Sequence, residues 1–193
     1  MTVALGSQLT PAAQAYASQV AEAIDGLEAL YVVGSGALGG FDPQRSDLDL
    51  VAVVDRTLDG SEKAAIGKAI GGLHLPVRKL ELVVYATGSQ PPAFELNLSA
   101  GEQGVTEHPG EPAHWFVIDA AFAQEHAVPL HGPPWSESFA PVTPAQVREA
   151  MQQSLAWSEH RPDDEFARTN AIRARHYLEH GEWITKAEAE ARR

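Results

Sequence analysis

Apolar residues Ala13, Tyr16, Val20 and Ile24 recur at intervals of three and four, the spacing of one helix face. Thr10-Pro11 supplies an N-cap and a first-turn proline ahead of them, and Gly26 follows, so a helix is predicted from Pro11 to about Asp25. The pattern then turns to short continuous apolar runs. Leu30-Tyr31-Val32-Val33 predicts a strand that enters the glycine-rich loop Gly34-Ser35-Gly36-Ala37-Leu38-Gly39-Gly40, and Leu48 to Val54 predicts a second strand that is polar only at its start. This pair is expected at the centre of a sheet. Ser61 to Ile70, closed by Gly71-Gly72, reads as a helix, and Leu80 to Tyr85 as a third strand. Pro91-Pro92 breaks the chain before a fourth strand, Phe94 to Leu98, and Trp115 to His126 reads as an amphipathic helix.

A proline-rich stretch, His131-Gly132-Pro133-Pro134-Trp135 through Pro141-Val142-Thr143-Pro144, can continue neither a helix nor a central strand and marks a boundary. Beyond it the pattern is helical. Thr143-Pro144-Ala145-Gln146 combines a capping box with a first-turn proline and opens a helix through Trp157. Asp163 or Asp164 caps a further helix that runs to Tyr177 or His180 and stops at Gly181. Thr185-Lys186-Ala187-Glu188 is another capping box, but only five residues follow Glu188. So short a helix is marginal alone, and either truncation or completion by a partner is expected. The domains expected are residues 1–138, carrying the strands, and a helical domain over residues 143–193.

Composition narrows the function classes. With 193 residues, 44% of them hydrophobic, the chain has material for one good core or two small ones. The absence of cysteine excludes disulfide frameworks, thiolate metal sites and cysteine nucleophiles. Met1 to Val20 has neither a basic start nor a long apolar stretch, and the five residues Leu50 to Val54 are as long as any apolar run. Neither a signal peptide nor a membrane span is expected, which points to the cytoplasm. The net charge of −12 argues against binding long nucleic acids, which needs a basic face, and suits cationic partners. It is uneven: residues 1–143 hold 17 acids and 6 bases, whereas residues 144–193 hold 9 and 8.

The chemistry concentrates between Val33 and Leu50. Asp47 and Asp49, two apart on a strand, project from the same face about 6.5–7 Å apart, while Leu48 and Leu50 point into the core. Paired carboxylates at that spacing repel unless a cation lies between them, and hard oxygen ligands suit Mg²⁺ better than Zn²⁺. The Gly34-Ser35 turn just ahead lets backbone N–H groups and a hydroxyl approach a phosphate. Glu81 sits inside an otherwise apolar strand, where a charge is costly unless paired or metal-bound, so a place beside Asp47 and Asp49 is expected. Three carboxylates with two Mg²⁺ ions form the layout for in-line phosphoryl or nucleotidyl transfer. His176-Tyr177-Leu178-Glu179-His180 matches the zinc pattern H-x-x-E-H, but Gly181 ends the helix at once and little chain follows, so these are read as exposed helix-end histidines.

Gly34-Ser35, an eleven-residue gap, Asp47-Leu48-Asp49 and Glu81 on a later strand together resemble the DNA polymerase beta nucleotidyltransferase superfamily. More closely, the chain resembles the streptomycin/spectinomycin 3''(9) adenylyltransferases. Leu130-His131-Gly132-Pro133-Pro134, Phe139-Ala140-Pro141-Val142, Leu155-Ala156-Trp157 and Gly181-Glu182-Trp183-Ile184-Thr185-Lys186 extend the likeness over nearly the whole chain. The resemblance implies an α/β (α+β) fold, with a nucleotidyltransferase domain of small mixed sheet flanked by helices and a C-terminal helical domain. It further implies transfer of AMP from ATP to an aminoglycoside-like hydroxyl, with two Mg²⁺ ions on Asp47 and Asp49 and Glu81 as catalytic base. Gly34, Ser35 and Ser46 would contact the nucleotide and Lys186 its phosphates, while Trp157 and Asp163 would contact the antibiotic. Arg173 joins Lys186 because both are cations on the near-neutral helical part. Glu159, Asp163, Asp164 and Glu165 would favour a polycationic acceptor. There are two departures: Leu96-Asn97-Leu98-Ser99 stands where the family has a drug-stacking tryptophan, and family members continue for several helices past the equivalent of Lys186. The alternatives are a minimal nucleotidyltransferase acting on a protein or RNA partner, and a non-catalytic nucleotide-binding module.

Overall fold

The computed structural model describes residues 9–192. In chain order the elements are α1 (Pro11–Glu22), β1 (Leu27–Val32), α2 (Gly34–Leu38), β2 (Asp47–Val54), α3 (Gly60–Gly71), β3 (Lys79–Ala86), β4 (Leu96–Gly101) and β5 (Gly104–Glu107). They continue with α4 (Ala113–His126), β6 (Val128–His131), α5 (Trp135–Ser138), α6 (Pro144–Glu159), α7 (Glu165–His180) and α8 (Lys186–Glu190). The chain divides into two compact units. One holds the described residues up to Glu111 with Phe122–Pro141, and the other holds Pro112–Ala121 with the chain from Val142 onward. Residues 112–121, placed by sequence with the strands, thus group with the helices.

The first unit is built on a six-stranded sheet in the order β5-β4-β3-β2-β1-β6. Only β2 and β3 pair in parallel, Asp47 opposite Lys79 through Val54 opposite Ala86, so the sheet is mixed. β2 and β3 are also its central pair, a correction to the expectation that β1 and β2 would be; β1 lies next to the edge strand β6. Alternation decides the faces. Leu48, Leu50, Leu80, Leu82, Leu98 and their neighbours point to one side and bury against Ala13, Tyr16 and Val20 of α1, Ile24 just beyond its end, and Ile66 and Ile70 of α3; α1 stops at Glu22, short of the expected Asp25. Thr10 caps α1 through its side chain, and Asp59 and Glu62 form a reciprocal capping box on α3.

On the other side of the same sheet, Tyr31 and Tyr85 meet Trp135 and Phe139 in edge-on ring contacts. The Tyr31 hydroxyl donates to the Pro133 carbonyl at 2.9 Å and shares a 2.8 Å hydrogen bond with Ser138. Gly132 is required here: φ is +79°, and a Cβ would stand 2.2 Å from the Glu28 carbonyl oxygen. The His131-to-Phe139 motif therefore fastens the chain to β1.

The second unit packs α6 against α7. Ile118 and Ala121 join Val147, Ala150, Met151 and Ala174 in its core. Thr143 and Gln146 cap α6 reciprocally, and of the two aspartates available to α7 it is Asp164 that caps, accepting from Phe166 and Ala167. α4 is less amphipathic than expected: Phe116, Ile118, Ala120 and Ala121 are all buried, so apolar contact surrounds more than one face. No helix among the described residues is long and apolar enough to cross a membrane.

Candidate active site

β2 opens with Asp47 and Asp49 half-buried on one face while Leu48 and Leu50 are fully buried on the other. The parallel register sets Asp49 opposite Glu81 and Asp47 opposite Lys79. Residues in register on neighbouring strands share a face about 4.8 Å apart, so all three carboxylates rise from one patch. Glu81 stands beside Asp47 and Asp49 because β3 runs parallel to β2.

The stretch Gly34–Gly40, read from sequence as a loop, begins with a helical turn instead. Gly34–Leu38 forms α2, and Gly39 ends it in the left-handed conformation, its N–H returning to the Ser35 carbonyl. Glycines at the cap positions hid the turn. Gly34 is dictated by geometry: φ is +58°, and a Cβ there would lie 2.3 Å from Asp49 Oδ2. The Val33 N–H donates to the Asp49 carbonyl at 3.0 Å, tying this turn to β2 from the other side. Gly34→Ala is expected to cost about 1–2 kcal/mol from the left-handed backbone alone and to displace the Asp49 carboxylate. Chemical denaturation beside nucleotide binding checks both effects.

Ser46 closes the connection into β2. Its hydroxyl accepts from the Asp42 N–H at 3.1 Å, and its own N–H donates to the Asp42 carbonyl at 2.7 Å. The expectation that the carboxylates need an outside cation meets a correction. Arg78 Nη2 donates to Asp47 Oδ1 at 2.8 Å, and Lys79 forms an ion pair with Glu81. With two carboxylates turned onto these side chains, no group of three or more metal-ligating side chains is gathered among the described residues. The donor set nevertheless fits Mg²⁺: every ligand is an oxygen, the strand register brings the three carboxylates to one face, and Gly34 leaves Asp49 the space a Cβ would fill.

Next along the same face comes β4. Ser99 lies opposite Glu81, is buried, and its hydroxyl is 2.8 Å from His108 Nε2. Asn97, also buried, donates to the His108 carbonyl at 3.3 Å. A hydrogen-bonding row therefore occupies the strand where the resemblance leads one to expect an aromatic platform. Sequence reasoning missed Arg78 as the partner of Asp47, Lys79 and Ser99 as neighbours of Glu81, and His108 behind Ser99; for Lys79 and Ser99 the signal was their two-residue alternation with Leu80, Leu98 and Ala100, usable only once the strand pairing is known. A cavity of about 600 Å³ in this unit lies elsewhere, lined by Glu22, Asp25, Leu30 and His131.

The helical unit carries the other candidates. Trp157 meets Trp115 edge-on at 5.5 Å, Phe166 at 6.3 Å and His114 at 6.5 Å, and the Arg161 guanidinium stacks 4.2 Å above its ring. Lys186 opens α8, its ammonium 6.0 Å from the half-exposed Phe166 ring. Arg173 has a structural task that its assignment to the nucleotide did not foresee. Its Nε donates to the Ile184 carbonyl at 3.0 Å, bracing the turn ahead of Lys186, and burial pushes its pKa down against the pull of Asp119. Asp163 is exposed in the turn before α7. Among the acids expected to attract a polycation, Asp164 is occupied as a helix cap and Glu159 lies 3.7 Å from Arg175. The His176 and His180 rings lie 4.6 Å apart with Arg192 on His176, and belong to no metal-binding group among the described residues.

His114 is buried, and its Nε2 has no hydrogen-bond partner. Burial disfavours the charged imidazolium and lowers the pKa below the ordinary 6.5. As pH falls through about 6.5 the unfolded chain takes up a proton that the folded chain resists, so stability drops on acidification. His114→Phe is expected to flatten this part of the profile. Melting temperatures of both proteins across that pH range check it.

These elements make a mixed sheet flanked by helices and followed by a helical unit, a fold shared with a solved nucleotidyltransferase. The structure superposes on spectinomycin adenyltransferase AAD(9) from Enterococcus faecialis, solved with ATP and spectinomycin, with a TM-score of 0.68 at 20% identity, covering 91% of this chain and 79% of that one. A looser likeness, TM-score 0.39 at 11% identity over 78% of this chain and 92% of the other, is to a mutant of the toxin–antitoxin MntA–HpeT. No protein-family profile and no curated protein matches the chain.

Proposed function

We propose that the chain is a Mg²⁺-dependent adenylyltransferase that moves AMP from ATP to a hydroxyl of a cationic, aminoglycoside-like acceptor and releases pyrophosphate. One observation carries this reading: Asp47, Asp49 and Glu81 share a sheet face in adjacent register, beside the left-handed turn at Gly34. The ATP and spectinomycin bound to the structural neighbour support the choice of nucleotide and acceptor class. Asp47 and Asp49 hold the metal, and Glu81 completes a second metal position or acts as base. Bound Mg²⁺ would offset the triphosphate charge and polarise the α-phosphate.

In the transfer, the acceptor oxygen forms a bond to the α-phosphorus as the bond to the bridging oxygen breaks. Pyrophosphate leaves with that electron pair, and the hydroxyl proton passes to the Glu81 carboxylate. Gly34, Ser35, Ser46 and the first N–H groups of α2 face the phosphates in this reading, with Lys186 adding a charge-assisted contact. Arg173 is assigned to supporting Lys186 through Ile184. Trp157 and Asp163 are assigned to the acceptor.

Pyrophosphate release from ATP across a panel of aminoglycosides, spectinomycin, proteins and RNA tests the proposal. Mg²⁺-dependent release stimulated by a cationic small molecule is expected. Release with macromolecules alone would move the acceptor to another class, and none with any acceptor would leave a nucleotide-binding module.

A further inference from the structure

The ion pairs at the mouth of β2 and β3 raise a question of purpose. Partly exposed pairs contribute little to stability, so their value as braces is small. Residues 1–143 contain only six basic residues, and two of them, consecutive in sequence, engage two of the three carboxylates of the site. Arg78 is also held by its backbone, which donates to the Pro43 carbonyl at 2.8 Å within the connection that leads into Asp47. Arg78 engages Asp47 Oδ1 and Lys79 engages Glu81 Oε1, so each cation neutralises a carboxylate that a divalent ion would also draw on.

Resting on the adenylyltransferase reading, we propose that Arg78 and Lys79 are displaceable counter-ions of the metal site. They compete with a divalent cation for Asp47 and Glu81, and when the cation arrives with a polyphosphate they turn to the phosphate oxygens. Free metal then binds poorly because it must break two ion pairs with no new partner for the released cations. Metal with nucleotide binds well because the triphosphate supplies that partner. The device couples the two ligands, and the coupling is reciprocal. In this scheme Arg78 and Lys79 hold Asp47 and Glu81 before the ligands arrive and contact the phosphate oxygens afterwards.

Calorimetry with Mn²⁺ alone, with the non-reacting α,β-methylene analogue of ATP plus chelator, and with both ligands tests this without any turnover. In Arg78→Gln/Lys79→Gln, Mn²⁺ alone is expected to bind about 2- to 30-fold more tightly than in the wild type, from two pairs of ordinary partly exposed strength. The enhancement of Mn²⁺ affinity by the analogue should shrink by at least the same factor. Arg78→Lys/Lys79→Arg keeps both charges and should restore most of the coupling, which also separates the effect from damage to the fold. Unchanged or weaker Mn²⁺ binding in the Gln variant, with undiminished coupling, would overturn the proposal while leaving the adenylyltransferase reading intact. Failure of the wild type itself to bind the analogue with Mn²⁺ would defeat that reading and this inference together.

Discussion

Glu81→Gln is expected to slow AMP transfer at least about a hundredfold while the protein stays folded. A general base contributes roughly 10² to 10⁴ in rate, or about 2.7 to 5.4 kcal/mol of transition-state stabilisation. Glutamine keeps the shape of the side chain but cannot take the acceptor proton or balance a metal charge. Glu81 is partly exposed at the start of a strand whose neighbours Leu80 and Leu82 are fully buried, so the substitution should leave the core untouched. It also breaks the ion pair with Lys79, a partly exposed contact worth about 1 kcal/mol or less. Single-turnover transfer measured beside a melting curve separates the outcomes. A slow, stably folded variant supports the catalytic assignment, normal turnover removes it, and joint loss of stability and turnover makes Glu81 structural.

Asp49→Asn should abolish the Mg²⁺-dependent part of nucleotide binding. A ligand at a hundred times its dissociation constant stabilises a protein by about 2.7 kcal/mol, which for a chain of this size raises the melting temperature by roughly 5–10 °C. That shift is expected for the wild type with MgATP and should be much smaller with ATP and chelator. Asp49 is tested because the Gly34 turn packs directly against its carboxylate. An equal shift for both proteins would take Asp49 out of the metal site.

How far the sequence could be read depended on the range of the interaction. Local chemistry was legible: Thr10, Thr143 and the Thr185–Glu188 box cap their helices through bonds spanning three residues. The alternation Asp47-Leu48-Asp49-Leu50 declared which side of β2 faces the core, and burial follows it. Gly181 ends α7 in the left-handed conformation, as its position suggested. Features set by pairing across the chain were not legible. Arg78 and Asp47 are 31 residues apart and meet only because β2 and β3 run parallel, a choice that apolar runs do not encode. The edge strands β5 and β6 have four residues each, too few for a periodicity to emerge. Asp163 and Asp164 offered equal caps, and the backbone entering α7 chose between them.

In the proposed reaction the α-phosphoryl group, carrying the nucleoside, is what moves. The most direct measurement supplies ATP labelled either at the α- or at the γ-phosphate, with Mg²⁺ and an acceptor that stimulates turnover, and follows the label. The adenylyltransferase account predicts that α-label appears on the acceptor and γ-label is released in pyrophosphate. Label from the γ-position on the acceptor, or its release as inorganic phosphate with no α-label transferred, would contradict it.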